Sequence, residues 1–347
     1  PIYGLEWLLL DQFLYPGHSV HRMHAVPEKT GAGLMNRLQR ACDAAGIPVL
    51  THAWTTDLWV HEGRVQGVGY RRPQGPLERL GCQVAVLACN GYGGNPELVS
   101  QYLPQMKHAL FAGHVGNDGS ALVWGQALGA DLADSGGYQG HGSWAIPQGA
   151  LISWALMMEG GIQINALGQR FHDETQGYSE AAVHVLAQPG GLAWNVLDES
   201  LLAFAQDFPD FCAAQSAGAV QRFETAAAMA DALKCPLADL IQTLESVSPG
   251  RDPLTGRTFQ RTLRAPYFAI KVTGALFHTQ GGLAIDAHTQ VLSPQGRAFP
   301  NLLAAGGAAR GVSGNAVWGY LSGNGLLSAV AGGHIAAQTA AELLKLS

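Results

Sequence analysis

The order of apolar and polar positions divides the chain into stretches of different grammar. From Gly31 to Ala45, GAGLMNRLQRACDAA places Leu34, Leu38 and Cys42 four residues apart, the spacing of one helix face, and Gly46 ends the run. Ile47 to Arg72 carries short apolar runs broken at His61-Glu62-Gly63, which predicts three short strands with a hairpin at that triplet. Gln83 to Asn90, QVAVLACN, is a continuous apolar run and predicts a buried strand. The glycine-rich GYGGNPELV that follows turns the chain into a helix. Helix, strands, hairpin and buried strand are α/β grammar with the opening unit missing.

The middle stretch, residues 106–264, lacks that rhythm. It contains GNDGSALVWGQALGADLAD, YQGHGSW and a helical part, AGAVQRFETAAAMADALKCPLADLIQTLESV. Thr225 to Ala232 is Ala-rich and helical in pattern, and Pro236 opens a new turn. SPGRDPLTGRTFQRT is all turn signals and predicts a domain edge. The last stretch returns to α/β grammar. GGLAIDAHTQVLSPQGRAFPNLLAAGG gives a strand, a turn at Ser293-Pro294-Gln295-Gly296 and an apolar strand from Asn301 to Ala305, before a closing small-residue helix. The expected organisation is one domain split between residues 1–105 and 265–347, with an α+β domain of residues 106–264 inserted at a surface loop.

Composition narrows the function classes. Charged residues are 13% of the 347, hydrophobic ones 47%, and the net charge is −6. Few, scattered basic residues exclude a nucleic-acid footprint. A small anionic substrate stays compatible, because local charge can oppose the global sign. Cys42, Cys82, Cys89, Cys212 and Cys235 form no metal-like spacing, and their odd number argues against a disulfide framework. Cys82 and Cys89 read as buried small hydrophobes. A reducing, cytoplasmic compartment fits this usage. No apolar run reaches the roughly 18 residues of a membrane span. The start, PIYGLEWLLL, has no initiator methionine and reads as the interior of a longer sequence.

The densest candidate chemistry is YLSGNGLLSAVAGGHIAA, Tyr320 to Ala337. NLLAAGG places Gly306 and Gly307 at the end of a strand, where α/β crevices form. Gly323 and Gly325 clear side chains from a helix start whose N–H groups favour an anionic or electron-rich ligand edge. A tight strand–helix turn is the plain alternative. His141 in YQGHGSW and His278 in FHTQGG are each followed by small residues that leave the imidazole reachable. With 13 histidines in the chain, a structural role competes for each. Tyr320 and Tyr178 carry hydroxyls that can donate to a substrate oxygen or, as phenolates, take a proton; packing aromatics are the alternative. Arg170 and Glu174 sit four apart and can pair. Asp118, in GNDG, suits a loop turn or a ribose hydroxyl. His18, His21 and His24 have no acidic partners, and no HExxH occurs, so no metal is expected. Trp54, Trp59, Trp124, Trp144 and Trp154 read as core or pocket wall.

Taken in order, these segments resemble the fumarate reductase/succinate dehydrogenase flavoprotein family. The similarity is greater to its soluble branch, with tricarballylate dehydrogenase and 3-ketosteroid dehydrogenase. The resemblance runs through GAGLMNRLQRACDAAGIPVLTHAWTTDLWV, VAVLACNGYGGNPEL, GNDGSALVWGQALGAD, INALGQRFHDE, PYFAIKVTGALFHTQGGLAID and the closing glycines. It implies a split Rossmann-like FAD-binding domain, here lacking its first βαβ element, with an inserted α+β capping domain. It implies FAD, held by Gly91, Asp118, Gly306, Gly307, Gly323, Asn324, Gly325, Leu326 and Leu327. It implies hydride transfer between flavin N5 and a substrate carbon, forming or reducing a C–C double bond next to a carbonyl or carboxylate.

The same resemblance assigns roles residue by residue. His141 and His278 fall on histidines that bind substrate carboxylate in the reductases. The reductases' proton-donor arginine falls at Tyr178 and their clamping arginine at Tyr320. The glutamate and arginine that feed the donor fall at Trp154 and Met157. Tyrosine is not a conservative exchange for arginine. A ketosteroid-like site is therefore implied, with Tyr320 and the Asn324 N–H on a ketone oxygen and Tyr178 as the base. An enoate reductase for a small unsaturated carboxylate and a non-catalytic subunit with the same fold are the alternatives. The family's opening strand and GxGxxG do not occur in this sequence. The expected partners are thus a small-molecule substrate, an electron donor or acceptor, and a further segment or chain carrying the GxGxxG unit.

Overall fold

A computed structural model of the protein describes residues 4–11 and 14–345. The first three residues, on which the reading of a truncated start rests, lie outside the described residues. Helix α1, Gly31–Ala44, forms where the four-residue spacing places it, and the Thr30 hydroxyl caps it by accepting from Gly33 N at 3.0 Å. Strand β1 starts at Trp54 rather than Ile47. Gly46 and His52 have φ of +66° and +53°, outside the extended range, and Ile47, Val49 and Leu50 are left exposed. β1 (Trp54–His61) and β2 (Arg64–Arg71) form the hairpin around Glu62-Gly63. The third strand, β3 (Leu77–Gly81), comes from LERLG beyond the predicted region, and pairing with β2 is what makes it extended. The QVAVLACN run keeps only Ala85–Leu87 as strand β4. Helices α2 (Pro96–Tyr102) and α3 (Ser120–Ala127) follow, the first capped by Asn95.

The middle of the chain supplies β5 (Tyr138–Ala145), β6 (Ile162–Ile164), α4 (Tyr178–Leu186), β7 (Leu192–Asp198) and β8 (Val220–Phe223). Thr225 and Pro236 stand at the N-caps of two further helices, Ala226–Leu233 and Leu237–Ser246. The long strand β9, Tyr267–Thr279, is the spine of a seven-stranded sheet. β5 pairs with its C-terminal part, β7 and β8 with its N-terminal part, and Leu110–Phe111 runs parallel to it. The boundary expected at 264/265 therefore does not separate two sheets. β9 buries Ile270 and Val272 in the core around this sheet and Leu276 in a second core with Tyr92, Leu122 and Leu302. SPGRDPLTGRTFQRT does turn, with Gly256 N donating to Asp252 O at 2.9 Å. It is no solvated edge, however: Asp252 and Arg257 are buried.

The second core lies under a three-stranded sheet of order β10 (Gln290–Leu292), β11 (Ala298–Ala304), β4. β11 is parallel to β4 and antiparallel to β10, across the predicted turn closed by Gly296 N to Ser293 O at 2.8 Å. Helix α5, Asn324–Lys345, closes the chain. β4 lies at an edge of its sheet, so Cys89 just beyond it is exposed and Cys82 only half-buried, contrary to the burial expected of them. Trp54 and Trp59 are likewise exposed on the hairpin, with the Arg79 guanidinium 5.2 Å over the Trp59 ring. Among the described residues no helix is long and apolar enough to cross a membrane.

Candidate active site

The carboxyl ends of β4 and β11 open into a cavity of about 630 Å³. Asn90 and the Gly306-Gly307 backbone line its strand side, and His278 and Gln280, at the end of β9, line another wall. The first turn of α5 brings Gly325 and Leu326. A Cβ on Gly325 would lie 2.6 Å from His278 Cε1, so glycine is what lets this helix start approach the imidazole. Among the described residues, the only ionisable side chains lining the cavity are His114 and His278.

Beside it stands a row of four rings. β5 carries His141, β9 carries His278, Tyr178 begins α4, and Tyr320 precedes α5. The His141 and Tyr178 rings stack at 4.9 Å and 21°. Tyr178 meets Tyr320 edge-on at 5.9 Å, and Tyr320 meets His278 edge-on at 5.9 Å. The four residues predicted as catalytic are thus contiguous. The Tyr178 hydroxyl and Ser322 Oγ are hydrogen-bonded at 2.6 Å. His141 Nδ1 accepts from Ser143 N at 3.1 Å, and His278 Nδ1 accepts from Gln280 Nε2 at 2.9 Å.

Burial decides the charge of this row. It pushes the His141 pKa down to about 3 and that of His278 below the usual histidine value. It pushes both tyrosines up, Tyr320 far above the usual phenol with Tyr178 adding to the effect, and Tyr178 against the opposing pull of its Ser322 hydrogen bond. All four are neutral near pH 7. Arg170 and Arg257 are neutralised elsewhere: Arg170 pairs with Glu174 at 2.6 Å and Asp252 at 2.7 Å, and Arg257 pairs with Glu174 at 2.8 Å.

The predicted cofactor residues divide. Gly306, Gly307, Gly325 and Leu326 line the cavity. Gly91 packs behind it, against Thr279 and Gly307. Gly323, Asn324 and Leu327 belong to the turn into α5. Asn324 N donates to Leu321 O at 3.0 Å, so it is not free for a ketone oxygen, and Leu327 N donates to Gly323 O at 2.8 Å. Asp118 is occupied by turn chemistry: its carboxylate accepts from Ser120 N at 2.9 Å at the start of α3, and its neighbour Asn117 lines the cavity instead. Sequence reasoning passed over Asn90, Asn117, Gln139, Gln280 and Ser328, all on the cavity wall. For Asn90 and Gln280 a signal existed, a polar residue closing an apolar strand.

The FAD binding domain family matches residues 9–326. The chain belongs to this FAD-binding family. A probable fumarate reductase of Shewanella frigidimarina is 28% identical, over 98% of this chain and 59% of its own length. A 4-oxocyclohex-2-ene-1-carboxylate 5-dehydrogenase of Sinomonas cyclohexanicum is 26% identical, over 85% of this chain and 57% of its own. Among solved structures, an open flavocytochrome c3 fumarate reductase aligns with a TM-score of 0.80 at 26% identity, covering 98% of this chain and 61% of that one. A 3-ketosteroid-delta4-(5alpha)-dehydrogenase from Rhodococcus jostii aligns at 0.66 and 25% identity, covering 89% and 63%. The chain thus spans about three fifths of the length of these relatives.

The cavity suits the ring end of FAD. An isoalloxazine is an uncharged heterocycle edged with donors and acceptors. Neutral amides (Asn90, Asn117, Gln139, Gln280) and a backbone bared at Gly306-Gly307 complement such an edge, and no side chain among the described lining residues adds a fixed charge.

Proposed function

We propose that this chain carries the catalytic half of an FAD-dependent oxidoreductase that forms or reduces a C–C double bond next to a neutral carbonyl. The observation that carries the reading is the row of four neutral rings; the resemblance puts the reductases' two arginines at its tyrosines. A guanidinium clamp would suit a carboxylate; two buried phenols suit a ketone oxygen and the proton beside it.

When bound, FAD supplies hydride transfer at N5 to or from a substrate carbon. Asn90, Asn117, Gln139 and Gln280 hold its ring, with Gly306 and Gly307 giving the backbone close approach. Burial keeps Tyr320 protonated and therefore a donor. Its hydroxyl polarises the carbonyl and acidifies the adjacent carbon, and the dry site strengthens that bond. The first turn of α5, at Gly325 and Leu326, offers the second donor, because first-turn N–H groups have no partner within their helix. Tyr178 holds and moves the proton of the adjacent carbon, and the Ser322 hydrogen bond stabilises its phenolate. His141, stacked face to face, fixes the Tyr178 ring.

The seven-stranded sheet and its helices act in this reading as the cap that excludes water, over a split Rossmann-like domain built on β4, β10 and β11. In this reading the pyrophosphate would be held by the backbone N–H groups of an opening GxGxxG unit on a further segment or chain, and among the described residues that line the cavity no lysine or arginine is available to it. A second reading follows the relatives named as fumarate reductases: His141 and His278 then donate, as neutral imidazoles, to an unsaturated carboxylate.

The test uses full-length, FAD-loaded protein reduced anaerobically and mixed with cyclohexenone or fumarate. Cyclohexenone should reoxidise the flavin. Tyr320→Phe should retain FAD and slow that step about 10²- to 10³-fold, the usual effect of losing one oxyanion donor. Reoxidation by fumarate alone would establish the second reading, and reoxidation by no enone or enoate would remove both.

A further inference from the structure

Tyr178 can take a proton from carbon only if its own proton has somewhere to go. Around it most directions are closed. Its ring face is covered by His141, whose Nδ1 is engaged by Ser143 N. The two positions at which the resemblance puts the reductases' proton-feeding glutamate and arginine are Trp154 and Met157, both buried. Neither side chain can relay a proton to Tyr178. The large cavity contains no acid among its described lining residues.

The remaining direction is polar and open. A second, smaller cavity of about 130 Å³ is lined by Tyr178, Tyr320, Ser322 and Glu180, with Gly17 and Trp318 at its rim. That is room for several waters, each of which occupies about 30 Å³ in the liquid. Trp318 is 77% exposed, so this side faces solvent. Glu180 stands two residues beyond Tyr178 in the first turn of α4. No lysine, arginine or histidine is among the described residues that line the cavity.

We propose that Glu180 is the proton-relay group of the site, exchanging the Tyr178 proton with bulk water through this cavity. The inference rests on the reading of Tyr178 given above. As Tyr178 takes the proton from the substrate carbon, its own hydroxyl proton passes through Ser322 or a cavity water to the Glu180 carboxylate, and from there to solvent. Each transfer breaks one bond to hydrogen and forms another, no electrons leave the relay, and bulk water resets it. In the reductive direction the same path runs backwards.

A purely structural reading of Glu180 is available, since a glutamate in the first turn complements the helix dipole. That role would hold its pKa below the ordinary carboxylate value. Burial instead pushes it up, toward the range in which a carboxyl both accepts and releases a proton. The titratable groups that act with it are the phenols of Tyr178 and Tyr320 in the cavity, with Tyr15 close enough to raise both, and that of Tyr138 on β5, whose pKa burial raises and Glu180 raises further.

The experiment follows the proton alone. Full-length, FAD-loaded protein is incubated with cyclohexanone in D2O, and exchange of the protons next to the carbonyl is followed by NMR. Glu180→Gln should slow exchange about 10- to 100-fold, a loss typical of a proton-transfer group, with ketone affinity unchanged. Glu180→Asp should recover part of the rate. In Glu180→Ala, added formate should accelerate exchange, a response that a merely structural role does not produce. Tyr178→Phe is the control for the underlying reading. If it abolishes exchange while Glu180→Gln and Glu180→Ala exchange at the wild-type rate, the relay is overturned and Tyr178 stands. If Tyr178→Phe exchanges like wild type, or the wild type does not exchange at all, both fall.

Discussion

His141 and Tyr178 lie face to face, and the same burial that orders the pair sets the acid limit of the fold. His141 has a pKa of about 3 in the folded chain against 6.5 for an exposed histidine, and His172 about 4 against 6.5, both lowered by burial. Between those values the unfolded chain binds protons that the folded chain does not. Stability must therefore fall as pH drops from 6.5 towards 3, by an amount on the order of a few kcal/mol for His141. Thermal melts at stepped pH check this. His141→Asn should flatten the decline between pH 6 and 4 whatever it does to stability at pH 7; parallel slopes would show that His141 is not the group. The ring row was legible because those residue types sit at marked places in the chain. Asn90 and Gln280 carry only the weaker signal of a polar residue closing an apolar strand, and their position on the wall comes from where β4 and β9 end.

At the scale of elements, the site is propped by a buried charge network that the sequence showed only as a pair. Arg170 and Glu174 are four apart but in a loop, not a helix, and they pair because the 252–257 turn closes over them. Glu174 accepts from Arg170, from Arg257 and from Gln163 N on β6, and these partners hold its pKa down to about 2 in spite of its burial. Its backbone carbonyl accepts from Trp154 Nε1 at 2.9 Å, and Trp154 packs edge-on against His141 at 5.8 Å. Breaking one partner of a buried network leaves an uncompensated charge. Glu174→Gln should thus destabilise the fold by about 3–5 kcal/mol in urea unfolding and loosen the His141 wall. A loss below about 1 kcal/mol would mean that the turn is held by packing instead. Turn signals in SPGRDPLTGRTFQRT were read correctly as turns and incorrectly as an edge, because local grammar does not report what a buried arginine meets.

At the scale of the whole molecule, the α/β class was legible from the two outer stretches, and the passage between them was not. β9 runs from one core into the other through Gly274, where its pairing with β5 shifts register, but a single glycine inside an apolar run marks a bulge or close approach rather than a change of domain. What the chain leaves uncovered is as informative. β4 pairs with β11 and lies at an edge of its sheet, with Val86 41% exposed. On α5, Leu326, Leu327 and Val330 are 61%, 55% and 53% exposed. Val86 and Leu326 line the same cavity, so strand edge and helix face belong to one surface. An unpaired edge beside an apolar face is an association site, since its N–H and C=O groups and its apolar area both favour a partner. Under the function proposed above, the partner is the unit that would supply the pyrophosphate nest. The 347-residue chain by itself should then bind a hydrophobic dye and hold FAD weakly. Co-expression with a βαβ segment carrying GxGxxG should suppress dye binding, raise the melting temperature and bring FAD to one per chain. Tight stoichiometric FAD on the chain alone, with no dye bound, would show that this surface needs no cover and that the pyrophosphate is held by residues assigned no such role here.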